Sequence, residues 1–171
     1  MELKLSRCTL RPWRKDDEVS LARYANNRKV SGNLRDIFPF PYTAADATEW
    51  IDRVSGESPT QNFAIAVDGA GVGGISVMLR ADIYRQSAEV GYWLGEPFWG
   101  RGIATEALRA ITDYAFATFP VIRLEAGVFS WNPASARVLE KAGYVLEGRM
   151  RQAVTKDGRV GDRLIYGLLR P

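Results

Sequence analysis

Apolar residues at Ala47, Trp50, Ile51 and Val54 recur at i, i+3, i+4 and i+7, the spacing that gathers side chains on one face of a helix. Thr43 stands where that helix should begin, and Asp46 three residues later forms a variant capping box with it. A longer stripe through Ala107, Leu108, Ile111 and Ala115 predicts a helix from Ile103 to about Phe119. Asn132-Pro133 supplies an N-cap and a first-turn proline for a further helix that Gly143 stops. Another opens at Asp16, where a carboxylate can cap free amides and Asp17 and Glu18 favour the positive helix end; it stops near Asn26 and Asn27.

Strand-like runs fill the intervals. They lie at about Leu3–Pro12, Phe63–Val67, Gly73–Leu79, Ala88–Leu94, Leu124–Val128, Tyr144–Val154 and Arg159–Leu169. Asp68-Gly69 and Lys156-Asp157-Gly158 are tight-turn sequences, so the runs beside them should pair as antiparallel hairpins. The helix between the Ala88 and Leu124 runs makes a crossover, which calls for a parallel pair there. The expected fold is α/β in the α+β sense: a mixed, mostly antiparallel central sheet of about seven strands with helices on both faces. No linker or internal repeat divides the chain, so one domain over residues 1–171 is expected.

The chain has no histidine and one cysteine, Cys8. Ser-His-Asp and Cys-His nucleophilic catalysis, imidazole bases and His-containing zinc sites are therefore excluded, and no metal is expected. Proton transfer must use carboxylates, hydroxyls, amines, backbone groups or water. The net charge of +3 is spread along the chain without a basic run, so no direct nucleic-acid binding is expected. No apolar stretch approaches the roughly 20 residues that span a bilayer, and the opening segment lacks the apolar core of a signal peptide. The expected address is the cytoplasm, with no membrane partner, as a monomer or homodimer.

The stretch Gly95-Glu96-Pro97-Phe98-Trp99-Gly100-Arg101-Gly102-Ile103-Ala104-Thr105-Glu106 joins a strand to a helix. Such a loop can aim free backbone N–H groups at a phosphate, with the helix dipole adding favourable potential. It is not a P-loop, because Arg101 and Gly102 stand where the lysine and the magnesium-binding hydroxyl belong. Nor is it a dinucleotide fingerprint, since Thr105 stands at the third glycine.

Gly100 to Leu108 resembles the acetyl-CoA pyrophosphate loop of the GNAT N-acetyltransferase superfamily. Asn132-Pro133-Ala134-Ser135-Ala136-Arg137-Val138-Leu139-Glu140-Lys141-Ala142-Gly143-Tyr144 is similar to the later helix motif of its ribosomal-protein N-terminal acetyltransferase branch. The resemblance runs from Leu10-Arg11-Pro12 to the last hairpin. It implies a GNAT-like acyl-CoA N-acyltransferase fold whose sheet splays between the Ala88 and Leu124 strands, with acetyl-CoA entering the gap. Backbone groups near Tyr92, Trp93 and Leu94 would pair with the pantetheine. The N–H groups of Gly100, Arg101, Gly102, Ile103 and Ala104 would hold the pyrophosphate, and Asn132 would make a further cofactor contact. Pro97 occupies the Gln/Arg position of the fullest loop consensus, so that side-chain contribution is absent.

The implied reaction is direct attack of an amine on the thioester, the acceptor being a protein N-terminal amine or a small-molecule amine. Many relatives protonate the leaving sulfur with a Tyr four residues before the Gly-aromatic pair; here that position is Leu139. Ser135, one turn earlier on the same face, resembles the serine assigned that role in the ribosomal-protein branch, though a serine there also serves helix capping. Glu89 is the candidate base, with a surface ion pair as its alternative. Glu106 suits a helix-dipole role; Asp162 resembles a recurrent family Asp that could help hold a cationic acceptor, with a hairpin salt bridge as the favoured reading. Asn33, Asp36 and Tyr42 lie in the segment where relatives wall the acceptor, while Phe38 is expected to pack over the core. A non-catalytic acyl-CoA-binding module is the alternative reading of the whole chain.

Overall fold

The computed structural model describes residues 1–171. Its first strand is broken in two: β1 (Leu3–Lys4) and β2 (Thr9–Pro12) pair antiparallel across a turn in which the Leu5 N–H donates to the Cys8 carbonyl at 2.9 Å. The turn contains neither Gly nor Pro. Glu106 holds it from a distance, accepting from the N–H groups of Ser6 at 3.1 Å and Arg7 at 2.9 Å and from the Ser6 hydroxyl. A 3-10 turn at Lys15–Asp17 then leads into α1 (Glu18–Ala25). Asp16 does not cap this helix; its neighbour Asp17 turns inward instead. Both Arg11 and Asp17 are buried, 3% and 2% exposed, and join through bonds of 2.7 and 2.8 Å. Asp17 also accepts from the N–H groups of Arg14 and Gly71 at 2.9 Å, and Arg11 donates to the Gly69 carbonyl at 2.7 Å. The pair ties β2, the start of α1 and the Asp68-Gly69 turn into one knot.

A short α2 (Arg28–Ser31) follows, capped by Asn27, which accepts from the Lys29 N–H at 2.8 Å. Four residues carry too little periodicity to be read from sequence. In α3 (Ala44–Val54) both halves of the Thr43–Asp46 capping box are made, and Ala47, Ile51 and Val54 are buried as their spacing requires.

Strands β3 (Asn62–Val67), β4 (Ala70–Leu79) and β5 (Ser87–Leu94) form an antiparallel meander. The crossover through α4 (Ile103–Thr118) brings β6 (Arg123–Phe129) parallel to β5, and α5 (Pro133–Lys141) leads to the long hairpin of β7 (Val145–Lys156) and β8 (Arg159–Leu169). The sheet has eight strands in the order β1-β2-β3-β4-β5-β6-β8-β7, the split first strand accounting for the one beyond seven. One apolar cluster packs α4 and Leu139 of α5 against one face, through residues such as Phe63, Ile75, Val90 and Leu124. A smaller cluster packs α1 and α3 against the other face around Trp13, Ala64 and Trp93. No helix is long and apolar enough to cross a membrane.

Candidate active site

The parallel pairing of β5 and β6 lasts three residues, Ser87↔Arg123, Ala88↔Leu124 and Glu89↔Glu125, and then stops while both strands continue. Beyond this fork β5 stays paired with β4 as far as Gly73↔Leu94, and β6 stays paired with β8 as far as Phe129↔Arg163. The facing edges therefore have no strand partner, and at the end of β5 the Leu94 carbonyl accepts from the Trp99 indole N–H at 2.6 Å. The Gly95 N–H donates to the Val72 carbonyl at 2.8 Å, which turns the peptide groups of Trp93 and Gly95 toward β4 and, by alternation, those of Tyr92 and Leu94 toward the gap. The Trp93 peptide thus faces Gly74, and its ring packs on Phe38, centroids 5.5 Å apart.

At the open end of β5, Glu96–Phe98 form a 3-10 turn anchored to α1, the Phe98 ring standing edge-on to Tyr24 at 5.2 Å. Gly100 and Gly102 are both left-handed, φ 73° and 76°, and Gly102 is the N-cap of α4. Six consecutive N–H groups, Gly100 to Thr105, donate to no protein acceptor, and a side chain at Gly100 would project into open space. A cradle of free donors at a helix start, continuous with an exposed strand edge, fits a ligand with a diphosphate at one end and an amide-bearing arm at the other. Arg101 lies over the Phe98 ring at 5.7 Å. Arg7, which nothing in the sequence pattern singled out, lies on the other flank: its Nε would be 3.4 Å from a Cβ at Gly102. It brings a cation to a loop in which Pro97 leaves no polar side chain.

Gly102→Val places a β-branched residue at a left-handed position and crowds Arg7, costing roughly 1–3 kcal/mol of strain or distorting the loop. Calorimetry should show acetyl-CoA affinity falling by about tenfold or more with the far-UV spectrum unchanged. A folded variant that binds as tightly as the wild-type protein would refute the loop assignment.

Across the gap, Asn132 is the N-cap of α5 and accepts from the Ser135 N–H at 3.3 Å; its side-chain amide donors make no protein bond. Ser135 leaves the capping to Asn132 and directs its hydroxyl to the Tyr92 hydroxyl at 2.8 Å. The Tyr92 hydroxyl also lies 3.2 Å from the Ser135 carbonyl, and burial pushes it up to about 12, so it stays protonated at neutral pH. Two hydroxyls thus meet where β5 and α5 face each other. Sequence periodicity placed both residues but could not show that they touch. Leu139 is fully buried against α4 and the sheet, so the position many relatives give to Tyr is here a core position.

Glu89 sits at the fork between two guanidiniums, Arg80 at 3.4 Å and Arg163 at 3.6 Å. Arg80 also pairs with Glu125, and Arg123 joins Glu125 to Glu147, so the sheet face beside the fork is a charge network. Asp162 accepts from the Gln152 N–H at 2.8 Å and from Arg149 at 2.5 Å, which holds its carboxyl below the usual range and secures the bulge in β7. Glu106 is held low too: burial pushes it up, but the Ser6 and Arg7 donors outweigh that, which marks it as the anchor of the β1–β2 turn.

Of the three acceptor-side candidates, two reach a cleft of about 360 Å³ lined by Trp131 and the β7–β8 turn. Asn33 lines it, and Asp36 accepts from Lys156 in its wall at 2.7 Å. Tyr42 does not: it is buried against Phe38 in the smaller core cluster, and burial raises its hydroxyl to about 12, so it is a packing residue. Phe38 packs between Tyr42 and Trp93 as expected.

The sequence pattern of the family described as "Acetyltransferase (GNAT) domain" matches residues 7–145. The chain is 37% identical over 163 residues to the Bacillus subtilis protein named "Probable N-acetyltransferase YjcK", covering 91% of this chain and 90% of the relative. It is 32% identical over 93 residues to the Escherichia coli ribosomal-protein-serine acetyltransferase, covering 54% and 52%. Mycobacterium smegmatis RimJ, solved in complex with a CoA-disulfide, superposes with a TM-score of 0.81 at 25% identity, covering 95% of this chain and 81% of that one. The forked sheet, the cradle of free N–H groups and these matches agree: the chain belongs to the GNAT acetyltransferase family and is an acetyl-CoA-dependent N-acyltransferase.

Proposed function

We propose that the acceptor is the N-terminal amine of a protein or peptide. The observation that carries this reading is the polar cleft beside Trp131, bounded by the end of α2 and the β7–β8 turn. It is lined by Trp131, which directly precedes the N-cap of the helix that carries Ser135, a placement that suits an extended chain presenting only its terminus to the site. The name of the ribosomal-protein-serine acetyltransferase relative points the same way.

Acetyl-CoA supplies the activated acetyl group, which the neutral amine takes as the carbon–sulfur bond breaks. In the proposed mechanism, the free N–H groups of Gly100 to Ala104 hold the pyrophosphate, with Arg101 and Arg7 adding positive charge. The Tyr92 and Leu94 peptide groups and the Asn132 amide align the pantetheine. Trp93 contributes its ring to the acceptor wall. Ser135 donates its proton to the departing sulfur and regains one from water, while the Tyr92 hydroxyl keeps its own proton and orients the serine by hydrogen bond; the proton that the amine gives up to water balances the one that the sulfur takes. Glu89, the carboxylate at the fork, receives the amine proton through water. Residues 1–171 act as one domain in this scheme.

The test is thiol release from acetyl-CoA with peptides bearing free or blocked N-termini, amino acids and spermidine, followed by mass analysis of the products. Acetylation of free peptide N-termini is the expected result. Turnover of a small amine with every peptide inert would overturn the reading.

A further inference from the structure

The cleft beside Trp131 has an unusual wall. Lys156, the last residue of β7, is 8% exposed, and the only carboxylate paired with its ammonium belongs to Asp36, whose side chain is 82% exposed. An ammonium withdrawn from water is costly unless its donors are satisfied, and one bond to a solvated loop carboxylate satisfies one of three. Arg159, across the β7–β8 turn, stacks on Trp131 at 4.7 Å and pairs with no carboxylate, and its donors meet no protein acceptor. Stacking fixes the guanidinium plane and leaves its edge free, the arrangement that recognises a carboxylate through paired bonds. Arg28 and Lys29 add two cations to the same cleft. Each has a carboxylate partner, Asp157 at 3.5 Å and Glu96 at 2.5 Å, and Asp157 is the one acidic residue in the lining. Four cations therefore meet three carboxylates here, with Arg159 left over.

Trp131 links this wall to the chemistry. Its Nε1 donates to the Gly32 carbonyl at 3.3 Å, which closes α2 onto the start of α5, and Asn132 follows it directly. An extended peptide advances about 3.3 Å per residue. A peptide that brings its terminal amine to Ser135 from this side runs its first residues past Trp131, the ring that Arg159 covers.

Resting on the N-terminal reading above, we propose that this cleft selects acidic N-termini: acceptors carrying an aspartate or glutamate within the first few residues after the amine, bound by Arg159 and Lys156. A polycationic acceptor meets like charge in the same place.

The experiment uses the full chain, acetyl-CoA and three peptide series that share a first residue and carry Asp, Asn or Lys at positions two and three. With kcat/KM read from CoA release, the Asp series should exceed the Asn series by about tenfold, the worth of one charge-assisted bond, and the Lys series should be poorest. Added salt should narrow the Asp advantage. Arg159→Gln, an exposed substitution, should bring the Asp-to-Asn ratio below about two, and Lys156→Met should lower it as well, with thermal melting checking that both variants fold. Equal kcat/KM for Asp and Asn peptides in the wild-type protein would overturn the proposal and leave the N-terminal reading standing. An unchanged ratio in folded Arg159→Gln would also overturn it. Inert peptides alongside an active small amine would sink both.

Discussion

Asp17→Ala is expected to destabilise the protein by about 3–5 kcal/mol, because it strands the Arg11 guanidinium in the interior and frees the Arg14 and Gly71 N–H groups at once. Equilibrium denaturation measures the loss directly. A drop below about 1 kcal/mol would mean that water reaches Arg11 as soon as its partner is gone. Replacing both residues by apolar ones of similar volume should cost less than Asp17→Ala alone, since the deficit comes from a buried charge without its counter-charge. The same pair sets an acid limit. Burial pushes the Asp17 carboxyl up, but the Arg11 guanidinium and the two N–H donors outweigh it and leave it below the usual carboxylate range. A carboxyl depressed on folding contributes stability above its unfolded value, roughly pH 4, and that contribution drains away as the pH falls toward the folded value. Acid unfolding should therefore set in below about pH 4, and Asp17→Asn should flatten the pH dependence there.

Ser135→Ala should lower kcat by about 10-fold to 100-fold while acetyl-CoA affinity is largely kept, because in the proposed mechanism the serine proton is needed only as the carbon–sulfur bond breaks. Single-turnover measurement separates this from product release; an undiminished rate would show that another group protonates the sulfur. Capping does not confound the test, since Asn132 supplies the cap and Ser135 contributes its backbone N–H, which alanine retains. Tyr92→Phe keeps the ring and removes the hydroxyl 2.8 Å from Ser135, so its effect should run in the same direction and be smaller. Moving a phenol to position 139 is not a rescue: Leu139 is fully buried, and tyrosine there would overpack the core.

The elements that sequence alone revealed are those whose cause is local. The capping box at Thr43, the left-handed Asp68-Gly69 and Asp157-Gly158 turns, and the stripes of α3 and α4 depend on neighbours a few residues away. What escaped is held across long separations. The β1–β2 turn has no turn residue of its own and exists because Glu106 binds it. Asp17 looked like a first-turn acid and proved to be half of a buried pair, because nothing in the residues around it announces that Arg11 and Gly71 converge there. The same division runs through the site. Glycine spacing marked the loop of free N–H groups proposed to hold the pyrophosphate, and Ser135 stood out by position. The contact of Tyr92 with Ser135, the flank formed by Arg7 and the Lys156–Arg159 wall each join segments that only the fold brings together.

The three-residue pairing of β5 with β6 also bears on how much of this protein a cell can keep. The sheet is in effect a five-strand ladder and a three-strand ladder sharing one short seam, and that seam borders the place the co-substrate occupies in the proposed mechanism. A ligand that bridges the two edges binds the folded form and not the unfolded one, adding about 2.7 kcal/mol when present at a hundred times its dissociation constant. The supply of acetyl-CoA would then govern the lifetime of the enzyme as well as its turnover, since a protein left without its co-substrate would lose that added stability.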